Sequence, residues 1–121
     1  MSGAKHALFF VFDGPYEGKE GQVMEVYEAT KKFWRKRQQA GDIESVTFVT
    51  LASTRNADMP AGFCLVVGDR ARLQQIRWDD EEFLNIHMRT MTGMRGYACI
   101  DGYANDGNDE HMARFRELMQ R

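Results

Sequence analysis

The chain has 121 residues, 43% of them apolar, with 16 basic against 18 acidic side chains and a net charge of −2. This is about one domain of sequence, long enough to bury its own core, and its charge balance gives no electrostatic case for nucleic acid or an anionic membrane as partner. No apolar run approaches the roughly 20 residues a membrane span needs, and two cysteines, Cys64 and Cys99, are too few for a disulfide framework or a metal cluster.

The start, Met1-Ser2-Gly3-Ala4-Lys5-His6, carries no cleavage-site pattern, so no signal peptide is expected and a cytoplasmic setting with reduced thiols is the default. A first strand spans about residues 5 to 12, where Ala7-Leu8-Phe9-Phe10-Val11-Phe12 runs without a polar side chain. Asp13-Gly14-Pro15 breaks it, since Gly and Pro favour turns. A helix follows over about 19 to 40, with Val23, Val26, Tyr27, Thr30, Phe33 and Trp34 recurring at helical spacing and Gly41 as its stop. Its charges run from Glu17, Glu20, Glu25 and Glu28 to Lys31, Lys32, Arg35, Lys36 and Arg37. That order suits the helix dipole, allows a Glu28–Lys32 pair, and reads as a solvated face.

A second strand spans about 43 to 52, Val46 and Phe48 pointing one way and Val49 and Leu51 the other. Residues 53 to 61 form a polar loop before a third strand over about 62 to 68. Asp69 can cap a short helix to about Arg77 with Leu73 and Ile76 inside, and Asp79 or Asp80 a second helix to about Thr92. On the latter Phe83, Ile86, His87 and Thr90 share a face, with Leu84, Met88 and Met91 beside it. A fourth strand spans about 96 to 103. Asn105-Asp106-Gly107 then makes a turn, and Asn108 caps a final amphipathic helix carrying Met112, Phe115, Leu118 and Met119.

This order, βαββαβ plus a terminal helix, is that of a ferredoxin-like α+β domain with a four-stranded antiparallel sheet. Strands one and three are then central and strands two and four are edges, which agrees with their composition: the first pair is almost continuously apolar, the second carries Glu44, Thr47, Thr50 and Asp101. Cys64 and Cys99 fall on strands two apart, about 9 to 10 Å at a strand spacing of about 4.8 Å. That is beyond the roughly 7 Å a disulfide spans, so both thiols are expected free. Two crossover helices cover one sheet face. The other presents an apolar set whichever way the strands face, Leu8/Phe10/Phe12 or Ala7/Phe9/Val11 on the first. A soluble monomer does not leave such a face open, so a face-to-face homodimer is expected.

The segments Gly68-Asp69-Arg70-Ala71-Arg72-Leu73 and Asp80-Glu81-Glu82-Phe83-Leu84-Asn85-Ile86-His87, taken with the strand order, resemble the dimeric α/β-barrel superfamily over about residues 5 to 104. That superfamily includes antibiotic-biosynthesis-monooxygenase-like, stress-responsive barrel and heme-degrading monooxygenase families. The resemblance implies a homodimer whose interior holds a small apolar or aromatic molecule, with cofactor-independent oxygenase or isomerase chemistry. His87, four residues after Phe83, resembles the heme-ligating His of the heme-degrading enzymes, so heme is implied as an alternative cofactor. The third alternative is a protein that only binds or oligomerises.

Among single residues, His87 is the first candidate for chemistry; its ordinary alternative is a helix histidine making one hydrogen bond. His6, at the start of the first strand, can serve as acid or base with Asp101 or Tyr97 of the fourth strand, or sit exposed at the strand end. His111 is expected to be solvated. Trp78, at the break between two helices, can line a cavity mouth or fill a hinge. Phe83, Met91 and Phe10 are further candidates for an apolar ligand site, and the Met88, Met91, Met94 cluster suits an adaptable pocket or a core. RNA-recognition domains share the βαββαβ order. Here, however, Ala61 precedes Gly62-Phe63-Cys64-Leu65-Val66 where they have a basic residue, and Leu65 replaces their second aromatic. No zinc spacing, phosphate loop or nucleophile elbow is present.

Overall fold

The computed structural model describes residues 5–52 and 59–121. Residues 1–4 and 53–58, which include the start of the chain and most of the expected polar loop, lie outside the described residues. In chain order the elements are β1 (Lys5–Phe12), β2 (Gly14–Pro15), α1 (Glu20–Gln39), β3 (Ser45–Thr50), β4 (Gly62–Asp69), α2 (Arg70–Asp79), α3 (Glu81–Gly93), β5 (Met94–Arg95), β6 (Ala98–Tyr103) and α4 (Asp106–Met119). The main sheet has four strands in the order β3-β4-β1-β6, all antiparallel. The expected ferredoxin-like topology is therefore present, with the apolar strands in the centre and the polar ones at the edges.

Cross-strand register decides which side chains share a face. Phe10 lies opposite both Cys64 and Cys99, and Leu8 opposite Val66, which in turn faces Val46. These residues meet α1, α2 and α3 in one core with Val26, Phe33, Trp34, Leu73, Ile76, Phe83 and Ile86. Each such aliphatic or aromatic side chain contributes roughly 1.5–3 kcal/mol by leaving water. Both thiols are free, as expected from their strands. The opposite face carries Ala7, Phe9 and Val11, with Phe63 and Leu65 of β4 and Ile100 of β6. Phe9, Val11, Phe63 and Leu65 remain partly exposed there and Ile100 is 49% exposed.

The caps explain the helix boundaries. Asp69 accepts a hydrogen bond from the Arg72 backbone N–H at 3.2 Å and Asp80 one from the Phe83 N–H at 2.9 Å, so each carboxylate satisfies an otherwise orphaned donor. Asp80 also binds Arg37 of α1, and Asp42 accepts from Arg72 at 2.7 Å and from Arg37 at 3.3 Å. Burial raises the Asp42 carboxyl, but the hydrogen bonds from Arg72 and Arg37 outweigh it and hold the group below the usual range. This network locks the end of α1 to the starts of α2 and α3.

Three local expectations are corrected. The chain after Asp13 does not simply turn away: Gly14–Pro15 pairs with Met94–Arg95 in a two-stranded ribbon, closed by Asp13 N–H to Arg95 O at 2.8 Å. The ribbon ties the exit of α3 over the end of β1. The helix at the C-terminus begins at Asp106, so Asn108 lies within it and is not its cap. Asn105 takes a positive φ of 51° to turn the chain there, and Asp106 accepts from the Lys5 N–H at 3.0 Å. Glu28 pairs with Lys31 at 3.5 Å rather than with Lys32; both positions neighbour it on the helix, and Lys31 is the one that also rests on Tyr27.

Candidate functional site

Between the covered face of the sheet and helices α1 and α3 lies a cavity of about 370 Å³, within the usual range for a small-molecule site. Its floor is Phe10, Phe48 and Cys64. Trp34, Val26 and Phe83 form its walls, and the ribbon residues Gly14, Pro15 and Met94 border its mouth. The helices face it with Tyr27 and Thr30 from α1 and with Ile86, His87 and Thr90 from α3. These positions follow from 3.6-residue periodicity meeting one flat sheet. The two threonine hydroxyls donate their protons to their own helices, Thr30 to Val26 O at 2.7 Å and Thr90 to Ile86 O at 2.8 Å, which leaves them as acceptors only.

The chemistry is at one wall. His87 Nδ1 lies 2.7 Å from the Tyr97 hydroxyl. Phe83, one turn earlier on α3, stacks along the His87 ring at 5.7 Å, and Phe10 stacks along Tyr97 at 6.5 Å. Tyr97 reaches this point because Gly96, at φ +64°, turns the chain immediately before β6. Burial, and then the charge of Arg77, lower the His87 pKa, so the imidazole is neutral at pH 7. Burial raises the Tyr97 hydroxyl, so the phenol keeps its proton. The Cys64 thiol on the floor is pushed up to about 12 by burial and is no nucleophile at neutral pH.

Four of the sequence candidates, His87, Tyr97, Phe83 and Phe10, are thus brought together. Others are not. Trp78 lies in the last turn of α2 and is 57% exposed, its indole N–H donating to Gln74 and its ring under Arg77. Met91 and Met88 are exposed on the outer side of α3; of the three methionines only Met94 borders the cavity. They sit beside the inner stripe, and that offset turns them outward. His6 is buried, not exposed, and its ring meets Tyr103 at 4.9 Å rather than Tyr97. Alternation puts it on the covered face, and α4 begins over that strand end. His111 is only partly exposed, because it stacks on Tyr103 at 4.0 Å. Residue reading missed Phe48, Tyr27 and the Asp13–Pro15 mouth. The legible signal was Tyr27 and Thr30 standing in an otherwise apolar stripe.

The same lining tests the heme alternative. A porphyrin brings carboxylates that need cationic partners, yet no Lys or Arg borders this cavity and its one charged residue is Asp13. The lining offers such a group His87 but no cation of its own for the carboxylates. No cluster of three or more metal-ligating side chains occurs among the described residues. Among those residues no helix is long and apolar enough to cross a membrane.

No family model matches the chain, and no curated protein matches it in sequence. Solved structures do match. A dimeric ferredoxin-like protein of unknown function from Thermobifida fusca is similar at TM-score 0.65 and 10% identity, covering 84% of this chain and 92% of that one. Hydroxynitrile lyase from Passiflora edulis is similar at TM-score 0.66 and 7% identity, over 85% and 95%. An ethyl tert-butyl ether D family protein from Bacillus halodurans is similar at TM-score 0.60 and 15% identity, over 84% and 99%. At these identities the likeness is one of fold: the chain has the ferredoxin-like fold.

Proposed function

We propose that the chain acts as a homodimer in which each subunit binds a small apolar or aromatic molecule between sheet and helices and uses His87 and Tyr97 to move a proton on it. The observation that carries this reading is the 2.7 Å contact between His87 Nδ1 and the Tyr97 hydroxyl at the wall of a mainly apolar cavity. A neutral imidazole beside a protonated phenol is a base and an acid in one place. With its proton on Nδ1, His87 donates to the Tyr97 oxygen and offers Nε2 as base; with its proton on Nε2, it accepts a hydrogen bond from the phenol at Nδ1. A carbon-bound proton beside a carbonyl passes to the imidazole while the phenol hydrogen-bonds the developing oxyanion. In a β,γ-unsaturated carbonyl compound, its return at the γ-carbon completes an isomerisation. A cofactor-independent monooxygenase needs the same opening step.

Two observations support the dimer. Phe9, Phe63, Leu65 and Ile100 form an apolar sheet face that the chain does not cover, with the Phe9 and Phe63 rings 5.5 Å apart, and burying it at roughly 25 cal/mol per Å² favours pairing. The Thermobifida fusca protein of the same fold is described as dimeric.

Acetophenone in heavy water tests the site. The chain has two tryptophans, so in Trp78→Phe protein Trp34 alone reports on the cavity. Saturable quenching of Trp34, with methyl deuteration above the buffer rate that is lost in His87→Ala, is the expected result. Quenching without deuteration leaves a binding module only. Deuteration unchanged in His87→Ala rejects the acid–base role.

A further inference from the structure

A second recess lies on the helix side of the sheet, at the other end of β1. It measures about 890 Å³ and opens between α4 and the start of α2, bordered by His6, Arg70, Tyr103, His111, Arg114 and Phe115. None of these residues borders the His87 cavity. Three aromatic rings run into it in series: His6 edge-on against Tyr103, and Tyr103 stacked face to face on His111. The stack is held by the close seating of α4 on β1. A Cβ on Gly107 would fall 1.9 Å from the Lys5 carbonyl oxygen, so only glycine permits that approach.

His6 is the unusual group. It is 8% exposed, and its Nδ1 is fully buried with no hydrogen-bond partner among the described residues. A buried N–H donor without an acceptor is rarer and costlier than an unsatisfied lone pair. Nδ1 therefore carries the lone pair and the ring proton sits on Nε2, the nitrogen left to meet the recess. A lone donor at the bottom of a recess calls for an acceptor atom. Arg70 and Arg114 at the rim form no ion pair among the described residues, whereas Glu117 is held by Arg121 at 3.7 Å; the opposing charges are Glu110 at the border and Asp69 and Asp101, whose carboxylates act on His6 against Arg70. Tyr103 and Phe115 offer an apolar wall beside these donors.

We propose that this recess is a second binding site, for a small organic carboxylate: the carboxylate accepts from His6 Nε2–H and pairs with Arg70, and its apolar body lies against Tyr103 and Phe115. The site lies on the covered side of the sheet, so a dimer formed through the opposite face leaves it open. It does not depend on the acid–base reading of His87.

Imidazole 15N resonances of the full chain, titrated with sodium benzoate, test this. The expected result is a saturable shift of the His6 signals, with the His87 signals unmoved. Arg70→Gln, a change at an exposed position, is expected to weaken the affinity about tenfold, the usual worth of a charge-assisted hydrogen bond. Unmoved His6 signals, or equal affinity in Arg70→Gln, overturn the proposal. So does benzoate moving His87 instead, which places the ligand in the sheet–helix cavity. Inorganic phosphate serves as the comparison; if it binds as tightly as benzoate, the site takes a bare oxyanion and the organic carboxylate is wrong.

Discussion

The two faces of the main sheet are made from alternate residues of the same strands, yet they end in opposite states. On β1, Leu8 and Phe10 are 1% and 7% exposed beneath the helices, while Phe9 between them is only partly covered. The covered face is completed within one chain, and it holds the polar groups with shifted pKa: His87 and Tyr97 at one end, His6 at the other. The free face is almost entirely apolar over its central strands. Burial is what makes an imidazole or a phenol chemically unusual, so chemistry collects where the chain covers itself, and assembly where it does not.

The sharpest way to break this contrast is to charge the free face. Phe63→Asp is expected to turn an assembly of two chains into single chains of 14.0 kDa by light scattering; a variant that stays paired would show that this face is not the interface. On the covered face the expected loss is stability instead. Trp34→Ala removes a side chain only 1% exposed and should cost about 3–5 kcal/mol in urea unfolding, with the assembly unchanged where the protein remains folded. A cost under about 1 kcal/mol would contradict the packing described.

A smaller effect is expected at the dyad. Tyr97→Phe deletes one half-buried hydrogen bond to His87, worth about 1 kcal/mol, and should shift the His87 titration followed by NMR; an unchanged titration would mean that the pair does not form in solution. Acid should act through the same histidines. Burial depresses both His87 and His6 below 6.5. Stability from their neutral rings is then complete above about 6.5 and is lost as the pH falls through the depressed folded values, because the unfolded chain binds protons first. The urea midpoint should fall between pH 7.5 and 5.5, and less so in His87→Gln. A flat profile over that range would count against buried neutral imidazoles. The smallest effect belongs to Trp78→Phe, exposed and outside both recesses, which should stay within about 0.5 kcal/mol of the parent and leave aromatic binding unchanged.

Much of this was legible along the chain. The βαββαβ order of the elements pointed to the strand order, and the unbroken apolar run of β1 against the polar interruptions of β3 and β6 agreed with it, because central strands are the more fully covered. Asp69 and Asp80 marked two helix starts because a carboxylate there meets bare N–H groups. His87 and Phe83 could be put on one helix face by spacing alone. Tyr97 could not be assigned to His87 in the same way: it was weighed as a partner for His6, and ten residues and a glycine turn separate it from the helix. Met91 and Trp78 read as ligand contacts by composition, yet a rotation of one helical position sends them to solvent.

By itself, then, the sequence determined the four strands of the main sheet and the four helices, their order, the free thiols and the existence of one uncovered apolar face, since these follow from local periodicity and from counting what can cover what. Only the tertiary structure decided which alternate set of β1 residues faces the helices, that His87 meets Tyr97, and that His6 is sealed beneath α4 with Tyr103 and His111. Those outcomes depend on strand register and on how helices cross the sheet, and a shift of one residue in either reverses them.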